Sequence, residues 1–82
     1  MAVKVRRVIT VFRIGDDRRI AQFDVTNVPF DTVAKIVRPD AFDPLLYNCY
    51  KLRSDQLAAL QPYVETRLAL DGLDYYLEAE AA

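Results

Sequence analysis

The two ends of the chain alternate between inward and outward residue types, and this alternation limits the possible folds more than any other feature. The run from Leu73 to Ala79 has a period of two. Successive side chains of a β-strand point to opposite faces, so the run predicts a strand with its odd-numbered residues in the core and Asp74, Tyr76 and Glu78 outward. The segment from Val3 to Ile14 is rich in β-branched residues and also alternates, which predicts a strand there too. A sheet with an inner and an outer face follows.

Apolar side chains on both faces of the first strand favour a central position in this sheet. The four residues 15–18, Gly-Asp-Asp-Arg, have turn chemistry, because glycine accepts a positive φ and aspartate can bond its own backbone. A second strand from Arg19 to Val25 then forms a hairpin with the first. The run from Leu45 to Leu52 predicts a third strand, and Phe42 in the preceding loop is expected to tuck under the domain.

Two segments carry apolar residues at the spacing of a helix. They recur every three or four positions between Phe30 and Val37, and again between Leu57 and Leu68. Pro39 ends the first helix, because the residue before a proline is pushed out of the α region. Pro62 lies inside the second stripe, where it predicts either a kink near Gln61 or a short turn followed by a second helical piece.

The predicted order is therefore ββαβαβ. It is typical of an α+β domain in which a four-stranded, mainly antiparallel sheet has two helices packed on one face. The pattern leaves the strand order open. The 82 residues are too few for two hydrophobic cores, so residues 1–82 are expected to form a single compact domain.

The residue types needed for common chemistry are scarce. The chain has no histidine and one cysteine, which removes the commonest general base and the usual zinc sites. Cys49 has no histidine to lower its pKa, and Asp16 and Asp17 are better explained by their turn than by calcium. With only two glycines the chain also has no phosphate-binding loop. We therefore expect a protein that is not an enzyme and has no catalytic residue, metal or cofactor.

Cysteine usage and hydropathy suggest a compartment. A single cysteine cannot form an intramolecular disulfide, whereas small secreted domains usually contain several. The basic start leads into an apolar stretch that Arg13 and then Gly15 interrupt, and no run approaches the roughly 18 apolar residues of a membrane span. The expected location is the cytoplasm, without a membrane partner.

Charge is distributed unevenly along the chain although the net charge is only -1. Residues 1–38 carry eight basic and four acidic side chains, and residues 39–82 carry three basic and eight acidic ones. The halves could form separate binding faces, or they could mix on one sheet and only solubilise it. A basic face would suit nucleic acid, with phosphate contacts drawn from Lys4, Arg6, Arg7, Arg13, Arg18 and Arg19.

The acidic half offers the stronger candidate surface, since tyrosine is a favoured anchor in protein interfaces and acidic neighbours complement a basic partner. The outward side of the last strand places Tyr76 between two acids. The candidate partner-binding residues are Asp43, Tyr47, Asp74, Tyr76, Glu78 and Glu80.

Three segments resemble the small, cytoplasmic, single-domain α+β immunity proteins encoded beside bacterial polymorphic toxins. They are the arginine-rich first strand 6–12, the central run 46–50, and the terminal run 73–78. These proteins share no catalytic motif, so the resemblance transfers no individual residue. It implies that the chain binds and neutralises a cognate toxin domain, and the acidic second half of the chain suggests a target with a basic surface, such as a nuclease.

Overall fold

The computed structural model describes residues 5–69 and 71–81, and it confirms the α+β class and the order ββαβαβ. The predicted start of the first strand at Val3 lies outside the described residues. The elements are β1 (Val5–Arg13), β2 (Arg19–Asp24), α1 (Phe30–Val37), β3 (Tyr50–Lys51), α2 (Ser54–Leu60), a 3₁₀ turn (Gln61–Tyr63) and β4 (Leu73–Ala81).

The sheet has the strand order β2-β1-β4-β3, and all of its neighbours are antiparallel. β1 is central, as its two apolar faces predicted. It pairs with β4 along nine residues, from Val5 opposite Ala81 to Arg13 opposite Leu73. This pairing joins the two ends of the chain and brings the basic first half directly against the acidic second half.

One face of the sheet carries the hydrophobic core. Ile9 and Val11 of β1 lie opposite Leu77 and Tyr75 of β4, and all four side chains are buried. They belong to one cluster with residues of both helices, among them Val33, Val37, Leu57 and Leu60. The two helices therefore cover this face, as predicted. We call the opposite face, formed by the even-numbered residues of β1 and β4, the open face.

The third strand is much shorter than predicted. The segment from Leu45 to Leu52 pairs with β4 only at Tyr50 and Lys51. Leu46 has a φ of 56°, which is outside the β region, and its side chain is buried in the core. The backbone N–H of Asn48, which a longer β3 would direct to β4, donates to the carboxylate of Asp43 instead, and the N–H of Tyr47 donates to the same carboxylate.

Pro62 ends the second helix instead of kinking it. α2 stops at Leu60, the 3₁₀ turn holds Pro62, and Val64 is already extended. The second helical piece is thus a single turn, and the predicted helix does not continue to Leu68. The side chain of Gln61 holds the segment that follows the turn. Its carbonyl oxygen accepts from the N–H of Leu68 at 2.8 Å, and its amide donates to the carbonyl of Thr66 at 3.0 Å.

The loop before β3 also differs from the prediction. Phe42 is fully exposed, so the expectation that it tucks under the domain is wrong. A turn closed by the N–H of Asp43 and the carbonyl of Asp40 turns Phe42 outward, and Leu46 occupies the core in its place. Within residues 5–69 and 71–81, neither helix is long and apolar enough to cross a lipid bilayer.

Candidate protein-binding face

The open face brings together four of the six residues that the sequence analysis predicts to bind a partner. Asp74, Tyr76, Glu78 and Glu80 alternate along β4 and share one side of the sheet. Their partners on β1 are even-numbered too, so the two strands supply a common surface. In order along the sheet, the opposed pairs are Phe12 with Asp74, Thr10 with Tyr76, Val8 with Glu78 and Arg6 with Glu80.

At one end of this face the charges compensate each other. Arg6 Nη2 donates to Glu80 Oε2 at 2.7 Å, and Arg6 Nε lies 3.7 Å from Asp24 Oδ2. Gln22 Nε2 donates to Glu80 Oε1 and to Thr10 Oγ1, each at 3.0 Å. The hydrogen bond from Arg6 holds the pKa of Glu80 below its usual range. This network reaches from β2 across β1 to β4, and Val8 and Thr10 of β1 are buried within this part of the face. Both carboxylate oxygens of Glu80 are therefore already bonded within the sheet.

At the other end the face forms a concavity with excess negative charge. We call it the acidic pocket; it has a volume of about 360 Å³ and is lined by Phe12, Asp17, Cys49, Asp74, Tyr76 and Glu78. The rings of Phe12 and Tyr76 meet edge to face, with centroids 5.5 Å apart and planes at 85°. The lining of the pocket thus combines three carboxylates with two aromatic rings.

One cation lies beside the acidic pocket. Lys51 Nζ is 3.6 Å from Asp74 Oδ1, and the lysine side chain is mostly exposed. Among the described residues, no ion pair involves Asp17 or Glu78. The pocket accordingly retains negative charge that is not neutralised within the described part of the chain.

Asp17 reaches the acidic pocket from the β1–β2 turn. Its neighbour Asp16 is occupied by the turn itself, since it pairs with Arg13 and accepts from the N–H of Arg18 at 3.1 Å. Asp17 has a φ of 54°, a conformation that aspartate tolerates better than most residues, and its N–H donates to the carbonyl of Arg13. The two adjacent aspartates thus have separate roles, one in the turn and one in the pocket.

Cys49 contributes a thiol to the wall of the pocket. Partial burial, with a smaller effect from the nearby charge of Glu78, raises the pKa of this thiol above its ordinary value. The thiolate is the nucleophilic form, so the surroundings of Cys49 lower its reactivity. No cluster of three or more histidine, cysteine, aspartate or glutamate side chains suited to a metal ion occurs within residues 5–69 and 71–81.

The structure places Asp43 and Tyr47 away from the acidic pocket. Asp43 is only 6% exposed, and its carboxylate accepts from the N–H groups of Tyr47 and Asn48, at 2.9 and 3.0 Å, and from the hydroxyl of Tyr50. The hydrogen bond from Tyr50 is the main reason that the pKa of Asp43 lies below its usual range. Asp43 therefore organises the loop from inside. Tyr47 is half exposed and lines a separate groove beside β4.

The arginines of β1 do not form a free basic face. Arg6 and Arg13 pair with carboxylates of the chain. Arg7 lies on the helix side, where its Nη2 donates to the carbonyl of Leu45 and its guanidinium carbon is 4.9 Å from the centre of the Phe30 ring. Lys4, another candidate phosphate contact, lies outside the described residues.

Sequence reasoning missed three residues of the acidic pocket: Phe12, Asp17 and Cys49. The information that would have identified Phe12 is the register of the sheet, because Phe12 lies opposite Asp74 only when β1 and β4 are neighbours in this alignment. Alternation within one strand assigns residues to a side of that strand. It does not say which other strand completes the surface.

The comparison with known sequences gives a family without an assigned activity. No curated protein matches the chain significantly. Residues 6–78 match the profile of a family described as a domain of unknown function, DUF7683. The matched range begins in β1 and ends in β4, and it includes every element between them. The chain therefore belongs to the DUF7683 family.

Proposed function

We propose that this chain is a non-catalytic protein-binding module whose acidic pocket receives a lysine or arginine side chain of its partner. The observation that carries the proposal is the charge of Asp17 and Glu78, which no ion pair among the described residues compensates, beside the paired rings of Phe12 and Tyr76. Carboxylates attract a cation, and the face of an aromatic ring attracts it further. The pocket thus has the chemistry expected of a site for a basic anchor residue.

The proposed partner is a toxin domain with a basic surface, and the chain is proposed to act as its immunity protein in the cytoplasm. This part of the proposal rests on the resemblance described above, together with the charge of the pocket. A nuclease is an apt target, because a protein that binds phosphate backbones presents clustered lysine and arginine. Complementary charge would speed the encounter and fix the register of the complex.

Binding of nucleic acid by the basic strands is the alternative, and the contacts of β1 argue against it. Arg6 and Arg13 are already paired with carboxylates, and Arg7 is directed to the helix side. Phosphate binding needs a concentrated positive patch. Retardation of labelled RNA or DNA at moderate salt would favour this alternative over the protein-binding proposal.

The test requires a purified partner and two pocket variants. The partner is recovered from the native host with the tagged chain, identified, expressed separately and titrated by calorimetry. We expect Glu78→Lys and Tyr76→Ala each to weaken binding about tenfold or more, since central charged and aromatic contacts dominate interfaces. Raised salt should weaken the wild-type complex as well, because exposed charges are screened.

Glu65→Lys is the matched control for Glu78→Lys. Glu65 is exposed, lies in the loop between the 3₁₀ turn and β4, and does not line the acidic pocket, so the substitution makes the same change in net charge outside that pocket. The proposal predicts an affinity within about twofold of wild type for this control. Equal weakening by both lysine substitutions would show that only net charge matters, and unchanged affinity in both pocket variants would refute the proposed face.

A further inference from the structure

Among residues 5–69 and 71–81, no strand pairs with the outer edge of β4 beyond Leu77. β3 covers β4 only at Tyr76 and Leu77, and the N–H of Leu52 donates to the carbonyl of Tyr75 at 2.8 Å. In an antiparallel ladder every second residue directs its N–H and C=O to the same neighbour. Ala79 and Ala81 therefore direct theirs to the β3 side, where no hydrogen bond from the described residues reaches them.

This edge is open because of the loop that precedes β3. If β3 continued in register, Asn48 would lie opposite Ala79 and its N–H would complete the ladder. That N–H instead donates to Asp43 Oδ2 at 3.0 Å, and Leu46 has a φ of 56°, which is outside the β region and interrupts a regular strand. The gap beside β4 is thus part of the local structure of the chain.

A groove follows the unpaired edge. It has a volume of about 370 Å³ and is lined by Val5, Tyr47, Ala79, Glu80 and Ala81. The alanine side chains leave room for larger side chains of an added strand. The loop on the other side is held by Asp43, and Arg7 Nη2 donates to the carbonyl of Leu45. The groove is therefore formed in advance, which lowers the cost of binding.

A second copy of the chain does not suit this edge. Antiparallel pairing of two copies centred on Ala79 sets Glu78 opposite Glu80, and pairing centred on Glu80 sets two glutamates against each other. Like charges directly opposite in a ladder are destabilising. Glu80 is already paired with Arg6, whereas Glu78 forms no ion pair among the described residues, so it favours a heterologous strand that carries lysine or arginine beside it.

The other sheet edge is protected by its own structure. β2 shifts register where Val11 and Phe12 meet it, and Arg19 lies at the shift. Bulges and charges of this kind are common devices against unwanted pairing of edge strands. The register of β4 with β1 has no such shift, so β4 presents a regular edge.

We propose that the unpaired edge of β4 receives an extended segment of the partner protein by β-strand addition. The segment would place a basic side chain beside Glu78 on the open face, and apolar side chains over Ala79 and Ala81 in the groove. Main-chain hydrogen bonds supply affinity in this mode, and alternate side chains supply specificity. The inference rests on the proposed function, because it describes how the same basic partner extends from the acidic pocket.

The direct test uses synthetic peptides and the ¹⁵N-labelled chain. The probe is a capped peptide of alternating lysine and valine, and its control is the same peptide with glutamate in place of lysine. We expect the lysine peptide to slow amide exchange at Ala79 and Ala81, whose N–H groups would become bonded, while the glutamate peptide leaves them unchanged. Protection at the β2 edge instead, or protection by both peptides, would overturn the proposal.

The variant Ala79→Pro removes the backbone N–H that points to the β3 side and leaves the hydrogen bonds between β4 and β1 in place. Ala79→Ser is its matched control. With the purified partner, we expect the proline variant to weaken binding about tenfold and the serine variant to leave it unchanged. Thermal unfolding verifies that the proline variant folds, and Ala81→Pro serves as a second test of the same edge.

Full affinity in a folded proline variant, together with loss in Glu78→Lys, would overturn strand addition and leave the pocket proposal standing. Full affinity in all of these variants would overturn both.

Discussion

β4 and the segment from Leu45 to Leu52 lie side by side and have similar strand-forming sequences, yet they fold differently. β4 forms a continuous strand of nine residues, whereas its neighbour pairs over two. Both contribute fully buried leucines, Leu77 from β4 and Leu46 from the neighbouring segment. The burial of a large apolar side chain therefore does not by itself distinguish the two segments.

What separates them is competition for backbone amides. No acidic side chain of β4 accepts a hydrogen bond from the backbone of its own strand in the described residues. Asp43, in contrast, accepts from the amide of Asn48, which a longer β3 would direct to β4, and also from the amide of Tyr47. Short acidic side chains compete with regular ladders in this way. A single well-placed carboxylate has thus shortened one strand and exposed the edge of the other.

The largest expected effect tests whether the irregular segment belongs to the core as fully as the strand does. Leu77→Ala and Leu46→Ala each remove a fully buried side chain, so each should lower the free energy of unfolding by about 2–5 kcal/mol. Urea denaturation measures both. A φ of 56° is about equally unfavourable for alanine and for leucine. The change in the free energy of unfolding therefore reports the loss of the buried leucine side chain and not a change in backbone strain. A loss below about 1 kcal/mol for Leu46→Ala would show that the segment is peripheral.

The second effect removes the acceptor that distinguishes the two segments. Asp43→Ala leaves the N–H groups of Tyr47 and Asn48 and the hydroxyl of Tyr50 without their acceptor. We expect a clear loss of stability, smaller than that of Leu77→Ala, and faster amide exchange at Asn48. Asp40→Ala is the control, since the carboxylate of this exposed neighbour accepts no hydrogen bond from the described residues. Equal stability of the two variants would contradict the role given to Asp43.

The role of Asp43 also has a pH signature. Its pKa is lowered in the folded protein, first by the hydrogen bond from Tyr50, so its carboxylate stabilises the fold above the ordinary aspartate pKa of about 3.9. That contribution is lost as the pH falls through the lowered value. We expect the stability difference between wild type and Asp43→Asn to be full near neutral pH and to shrink below about pH 4. A difference that stays constant over this range would assign the effect to packing instead of charge.

Features set by local sequence were predictable, and features set by contacts between distant residues were not. Strands β1 and β4, the first hairpin and α1 were predictable because each is encoded by a local period or turn. The outward direction of Asp74, Tyr76 and Glu78 was predictable for the same reason. The length of β3 was not, since it depends on a hydrogen bond between residues 43 and 48 that competes with strand propensity. The membership of Phe12 and Asp17 in the acidic pocket was not either, because it requires the non-local register of β1 with β4.

A smaller effect is expected at the hydroxyl of Tyr50. This group donates to Asp43 Oδ2 and accepts from the N–H of Asp40 at 3.2 Å. Tyr50→Phe removes one of the three donors to the Asp43 carboxylate but leaves both backbone donors, so it should destabilise the protein less than Asp43→Ala. It should also raise the pKa of Asp43 toward its ordinary value, because the Tyr50 hydrogen bond is the main cause of the lowering. Carbon-detected NMR titration of the Asp43 carboxyl measures this shift, and an unchanged pKa would contradict the assignment.

The smallest effect concerns Phe42, whose aromatic side chain would be expected in the core on hydrophobicity alone. Its full exposure follows from the turn between Asp40 and Asp43, which directs residue 42 away from the sheet while Leu46 occupies the core. Phe42→Ser should therefore change the free energy of unfolding by no more than about 0.5 kcal/mol, as is usual for surface positions. Urea denaturation beside Leu46→Ala makes the comparison within one loop. A loss at Phe42 as large as that at Leu46 would mean that the loop packs its aromatic residue inward and that Asp43 does not set its path; a small loss would leave an exposed phenylalanine with no part in stability.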